Sequence, residues 1–367
     1  MGRLNELFDA HGQSPWLDNL KRGWITSGEL QRWIDRGVRG QTSNPTIFAK
    51  AISESDDYDE QFSGLVKGGA TVDDSYWDLV TTDMEAGLAI MRPVYDASDG
   101  LDGYVSVEVA PGLAHDTEGT DAAAKELWDQ IDEPNLYVKI PATIEGVEAI
   151  RRSIAAGRNI NVTLLFSLSR YDAVAEAYLS GLEELVARGD DPSHVSSVAS
   201  FFVSRVDTLV NRKLDELGTP EAAALKNTAA LANARLAYEH FLGHFSGPRW
   251  EALAAKGAKV QRPLWASTST KDPSLPDTMY VDGLIGPDTV NTMPDATLTA
   301  FDDHGNVART VDADFAADHA VIDALLALGI DLEDCALTLE DEGVASFAKS
   351  FDELIDALTT KADALRQ

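Results

Sequence analysis

Lys139 stands inside an otherwise apolar run, Leu136-Tyr137-Val138-Lys139-Ile140-Pro141-Ala142. A lysine amine condenses with a carbonyl to a Schiff base only when it is neutral. At an ordinary pKa near 10.4, fewer than about one such amine in a thousand is neutral at pH 7, and burial that corrects this amounts to about 4 kcal/mol of differential stabilisation. A strand lysine between Val138 and Ile140 is placed for that effect. The same context also fits a buried lysine paired with Glu108 or Asp18 for structure alone.

Schiff-base chemistry needs carboxylates as well. Protons must move while the carbinolamine forms, while water leaves, and while the adjacent carbon–carbon bond breaks or forms. Glu108 interrupts Val105-Ser106-Val107-Glu108-Val109 and Asp18 follows Pro15-Trp16-Leu17. Either could shuttle protons, and either could simply neutralise an ammonium. Arg205 and Lys271 are candidate anion holders, the first as a bidentate fork and the second as a point charge, with Ser267 and Ser269 as hydroxyl donors beside them. An arginine after a strand can equally be a solvated surface group.

These residues need elements to position them. Short β-branched or aliphatic runs at 103–110, 136–142, 160–166, 195–203 and 263–267, several of them nearly continuously apolar, read as parallel strands covered on both faces, with weaker candidates at 15–18, 37–42 and 288–292. Between them lie helical stretches. Thr219-Pro220-Glu221 supplies an N-cap, a first-turn proline and an acid, and Leu225, Ala229, Ala232 and Leu236 then share one face. Phe347, Phe351, Leu354 and Leu358 form the stripe of an amphipathic C-terminal helix, for packing against the barrel or for a dimer contact.

Alternating strands and helices fit a closed α/β barrel or an open doubly wound sheet, which periodicity alone does not separate. Polar residues do. Asp18, Thr42-Ser43-Asn44, Glu108, Lys139, Asn161, Thr163, Ser200, Arg205 and Ser267 lie in or close after different candidate strands, mostly toward their C-terminal ends. Barrel enzymes gather a site in this way, whereas a doubly wound sheet uses one switch point, commonly with a glycine-rich turn that is missing from this sequence. The expectation is one α/β domain over 1–367, a (β/α)8 TIM barrel with additional N- and C-terminal helices.

Composition narrows the function classes. The 30 Lys and Arg against 61 Asp and Glu give a net charge of −31, which disfavours nucleic acid or an anionic membrane as partner. An anionic substrate would then require a local positive exception. Cys335 is the only cysteine, so no internal disulfide forms. The first fifteen residues carry Arg3, Glu6 and Asp9 and no signal-like apolar core, and the longest apolar runs are far short of the ~18 residues of a membrane span. A cytoplasmic protein is expected. His240 and His244 stand at i and i+4 without the glutamate of a metalloprotease helix, and Asp56-Asp57-Tyr58-Asp59 lacks EF-hand spacing, so no metal is indicated.

Five segments in order resemble transaldolases: Thr42-Ser43-Asn44-Pro45-Thr46, Val105-Ser106-Val107-Glu108-Val109, Tyr137-Val138-Lys139-Ile140-Pro141-Ala142-Thr143, Asn161-Val162-Thr163-Leu164-Leu165-Phe166-Ser167 and Ser200-Phe201-Phe202-Val203-Ser204-Arg205. Trp265-Ala266-Ser267-Thr268-Ser269-Thr270-Lys271 resembles the long-chain actinobacterial members. The resemblance implies a cofactor-free, class I aldolase-type barrel of the pentose phosphate pathway. Its sugar-phosphate reaction moves a dihydroxyacetone unit from sedoheptulose 7-phosphate to glyceraldehyde 3-phosphate, giving erythrose 4-phosphate and fructose 6-phosphate. By match to the motifs, Lys139 is the nucleophile, Glu108 handles the catalytic water, Asp18 takes the carbon–carbon bond proton and Thr163 orients the water. Thr42, Asn44 and Asn161 belong to the substrate site, with the two asparagines holding hydroxyls or the intermediate. Ser200 and Phe202 line it, and Arg205 and Ser267 face the phosphate. Ser269 stands where many transaldolases place a second phosphate-binding arginine, which leaves Lys271 to carry that charge. The alternative in the same superfamily is a fructose 6-phosphate aldolase releasing free dihydroxyacetone, but those enzymes carry glutamine and tyrosine where this chain has Glu108 and Phe202. A catalytically silent sugar-phosphate binder would have lost the lysine or an acid. Monomer and homodimer both remain open.

Overall fold

The computed structural model describes residues 2–366. Eight parallel strands close into a barrel in sequence order: β1 (Gln13–Asp18), β2 (Gln41–Thr42), β3 (Val105–Glu108), β4 (Leu136–Pro141), β5 (Ile160–Leu165), β6 (Ser197–Phe202), β7 (Arg262–Ala266) and β8 (Thr289–Met293). The seam pairs β1 with β8 through Gln13–Thr289 to Leu17–Met293. Every candidate strand finds a counterpart, and the (β/α)8 expectation holds. The apolar runs are buried because side chains of both parities are covered, the inner by the barrel core and the outer by the helical ring.

The differences are local. β2 is only two residues long, where the run 37–42 suggested a longer strand; Gly37 instead caps the preceding helix Glu29–Arg36 with φ 120°. The stretch opened by Thr219 is two helices, Pro220–Ala224 and Ala229–His244, instead of one continuous face. Asn227 adopts a left-handed conformation (φ 61°) between them. Asn211 holds it there, donating to Asn227 Oδ1 at 2.7 Å and accepting from its backbone N at 3.0 Å. Ala229, Ala232 and Leu236 are buried as expected, while Leu225 sits in the break.

The two ends of the barrel are built differently. Near the N-terminal ends of the strands, buried Asp102 accepts hydrogen bonds from Ser14, Trp16, Arg39 and Arg262. Burial alone would raise this carboxyl, but Arg262, Arg39 and these hydrogen bonds outweigh it and hold it below the usual carboxylate range. Every charge in that cluster has a partner. The N-terminal helix Arg3–His11 packs on β1.

The C-terminal helix Leu332–Arg366 runs across the molecule for 35 residues. Its stripe is spent within the chain: Phe347, Leu354 and Leu358 are buried, and Phe351 meets Tyr76 edge-on at 5.2 Å. The helix packs against helices Pro45–Ser53 and Ser204–Leu217 and against β5, which brings it over the C-terminal mouth of the barrel. Among the described residues no helix is long and apolar enough to cross a membrane.

Candidate active site

The strand ends converge as the polar pattern anticipates. Asp18, Thr42 and Glu108 are the last residues of β1, β2 and β3, and pairing register sets Asp18 beside Thr42, Glu108 beside Lys139, and Lys139 beside Asn161. A cavity of about 250 Å³ opens there. Its walls include Asp18, Thr42, Asn44, Lys139, Thr163, Ser200, Phe202, Arg205, Ser267, Ser269 and Lys271. Glu108 and Asn161 stand behind this lining.

Lys139 is 5% exposed. Its Nζ donates to the carbonyl oxygen of Ser43 at 3.0 Å and lies 3.0 Å from Glu108 Oε2. The second contact is a buried ion pair. Burial raises the Glu108 carboxyl above the ordinary range and Lys139 pulls it back only in part. A carboxylate in that condition accepts a proton readily from the amine beside it. Asp18 is also raised by burial, against the opposing pull of Lys139 and a 2.7 Å hydrogen bond donated by Thr42.

Thr163 is fully buried, yet among the described residues its Oγ1 has no partner, and its side chain borders the cavity. An orphaned hydroxyl at a cavity wall is a place for a water or a substrate hydroxyl. Asn161 is committed inward, donating to Ser106 Oγ at 3.0 Å and accepting from Ser200 Oγ at 2.7 Å, so it orients Ser200. Asn44 caps helix Pro45–Ser53 by accepting from Ile47 N at 2.9 Å, which leaves its amide Nδ2 to donate into the cavity.

Two residues at the same end adopt left-handed backbone conformations. Leu164 (φ 59°) lies at a register shift in β5 directly after Thr163, and Ser267 (φ 55°) lies directly after β7. Left-handed conformations at residues other than glycine cost about 1–3 kcal/mol each and cluster where a site over-determines them. Ser267 is pinned by Ser204, whose N donates to its carbonyl at 3.0 Å and whose Oγ lies 2.9 Å from its own.

The positive exception is Arg205. Among the described residues its guanidinium hydrogen-bonds to no protein acceptor, and it sits over the rings of Phe202 and Phe347 at 5.2 and 6.0 Å. Lys271 donates to Ser269 Oγ at 2.8 Å, so the two residues in place of an expected arginine form a linked pair at the cavity rim.

The sequence reading missed seven further wall residues, Thr46, Ile47, Ala266, Thr292, Pro294, Ser346 and Phe347. Thr292 ended a weak candidate strand and fits the rule of polar residues at strand ends; its Oγ1 lies 2.6 Å from Thr42 Oγ1, which extends the chain toward Asp18. Nothing in the stripe marked Phe347 or Ser346 as cavity residues. His240 and His244 both meet Asp172 Oδ1, at 2.8 and 2.7 Å, on outer helices. Among the described residues no group of three metal-ligating side chains is arranged to hold an ion.

A family model described as Transaldolase/Fructose-6-phosphate aldolase matches residues 15–358. The chain belongs to that family. Within it, a transaldolase of Frankia alni is 52% identical over 97% of this chain and 96% of its own length. A transaldolase of Thermobifida fusca is 51% identical over 98% of each chain, and one of Saccharopolyspora erythraea is 52% identical, again over 98% of each. Near-complete coverage on both sides shows transaldolase activity for this family member and does not favour the aldolase alternative.

Proposed function

We propose that this transaldolase acts through a Schiff base on Lys139, in a single barrel domain spanning the chain, with sedoheptulose 7-phosphate and fructose 6-phosphate as ketose donors. The observation that carries the reading is the Lys139 amine at the cavity wall, 3.0 Å from the buried Glu108 carboxylate and sharing the cavity with a second one, Asp18, at the end of β1.

Proton transfer from Lys139 to Glu108 frees the amine lone pair, which attacks the donor's C2 carbonyl. Glu108 returns protons through a water held at Thr163 Oγ1, so the carbinolamine loses water and becomes an iminium ion. Asp18 then takes the proton of the C4 hydroxyl as the C3–C4 bond breaks. The bond electrons pass into the iminium, and an aldose phosphate departs while an enamine of dihydroxyacetone stays on the lysine. An acceptor aldehyde reverses these steps, taking the proton back from Asp18, and water releases the new ketose. Asn44 and Ser200 suit the hydroxyls of the three-carbon unit. Arg205, with Ser267 and the Ser269–Lys271 pair, suits a phosphate dianion, because an unpaired guanidinium half-buried at a cavity wall is relieved by one.

The test is a coupled assay of glyceraldehyde 3-phosphate release from fructose 6-phosphate. Sustained release should require erythrose 4-phosphate and disappear in Lys139→Met. Equal release without the acceptor would overturn transfer in favour of aldol cleavage.

A further inference from the structure

Arg205 is a long side chain with no hydrogen bond to fix it among the described residues, so something else must hold its fork toward the cavity. Two aromatic faces are available. Phe202 comes from β6, and Phe347 comes from the C-terminal helix, where it is 4% exposed and borders the cavity. Arg stacks on aromatic rings while its N–H groups stay free for an anion, which an ion pair would not allow.

The C-terminal helix is brought to this contact by specific features. At Gly343, one turn before Phe347, an added Cβ would lie 2.9 Å from Leu164 Cδ2 and 3.5 Å from Arg205 Nη1. Glycine is disfavoured within a helix, and here its missing side chain lets the helix close on Arg205 and on the strained Leu164. Three residues after Phe347, Ser350 Oγ accepts from Thr46 Oγ1 at 2.9 Å, tying the helix to the turn that carries Asn44.

We infer that Phe347 is a positioning residue for phosphate recognition: its ring holds the Arg205 guanidinium in the orientation that receives the phosphate of the sugar substrate. The inference rests on Arg205 being the phosphate anchor. Loss of the ring leaves the catalytic lysine and acids in place, so the effect belongs to binding of the phosphate end.

The experiment measures KM and kcat for fructose 6-phosphate with erythrose 4-phosphate, together with the competitive Ki of inorganic phosphate, in the full-length enzyme. Phe347→Leu and Phe347→Met keep apolar volume without the ring, and Phe347→Tyr keeps the ring. Leu and Met should raise KM and phosphate Ki in parallel by about five-fold, with kcat held within about two-fold, while Tyr stays near the parent. A parent-like Ki in both ring-less variants, or a fall in kcat with Ki unchanged, would overturn the proposal. Arg205→Met separates the two levels. If it too leaves phosphate Ki unchanged, the anchor reading itself fails; if it abolishes phosphate inhibition while the ring-less variants do not weaken it, only the role of Phe347 fails.

Discussion

Glu108→Gln keeps the size of the side chain and removes both its charge and its basicity. In the native protein the Glu108 and Lys139 side chains are 4% and 6% exposed and meet at 3.0 Å. Deleting one partner of a buried pair leaves the other charge uncompensated, at a cost of about 3–5 kcal/mol. The urea midpoint of Glu108→Gln should therefore fall clearly below the parent's, with the m-value unchanged. Lys139→Met on top of Glu108→Gln removes the orphaned charge, so the double variant should be more stable than Glu108→Gln alone, with a coupling energy of roughly 2–3 kcal/mol. Catalysis gives an independent reading. Without a base beside the amine and its water, the single-turnover rate of Schiff-base formation should drop by about 10²–10⁴-fold. Parent-like stability together with a rate within about ten-fold of the parent would refute both the buried pair and its use as an acid–base group.

Three further outcomes follow from the same geometry. Burial raises Asp18, and only its ionised form can take the C4 hydroxyl proton, so kcat/KM should climb with pH along an acidic limb displaced above the ordinary carboxylate range; Asp18→Asn should abolish turnover at every pH, and a limb at the ordinary position would contradict the assignment. Thr163→Val removes a buried hydroxyl that has no partner among the described residues, so it should unfold at an equal or higher urea concentration while slowing Schiff-base formation, with Thr163→Ser restoring the rate. Asp102 is held below the usual range, so its contribution to stability is fully present above the unfolded-state carboxyl pKa and is lost as pH falls through the depressed folded value. Asp102→Asn, measured by urea unfolding, should cost about 3–5 kcal/mol near neutrality and show a shallower loss in acid than the parent.

Much of the barrel was legible because a parallel strand covered on both faces leaves a run such as Ile160–Leu165, and because a charge within such a run, as at Lys139, demands a reason. β2 was harder, since two residues carry no periodicity and its identity depends on pairing with Asp18 and Ser106. The break at Asn227 depends on Asn211, sixteen residues away, and was invisible to a helical wheel. Residues that act by position alone were also hidden. Phe347 looks like any core residue of an amphipathic stripe until the C-terminal helix is laid across the barrel mouth. Asn161 spends its amide oxygen on Ser200 and one N–H on Ser106, a commitment that strand spacing does not reveal.

The central claim is a covalent bond between Lys139 and the donor ketose, and borohydride trapping tests it most directly. Reduction of the protein with fructose 6-phosphate, followed by peptide mass analysis, should place a reduced dihydroxyacetone adduct on the peptide containing Lys139 and none on Lys139→Met. An active enzyme that traps no adduct, or traps it on another lysine, would contradict the account.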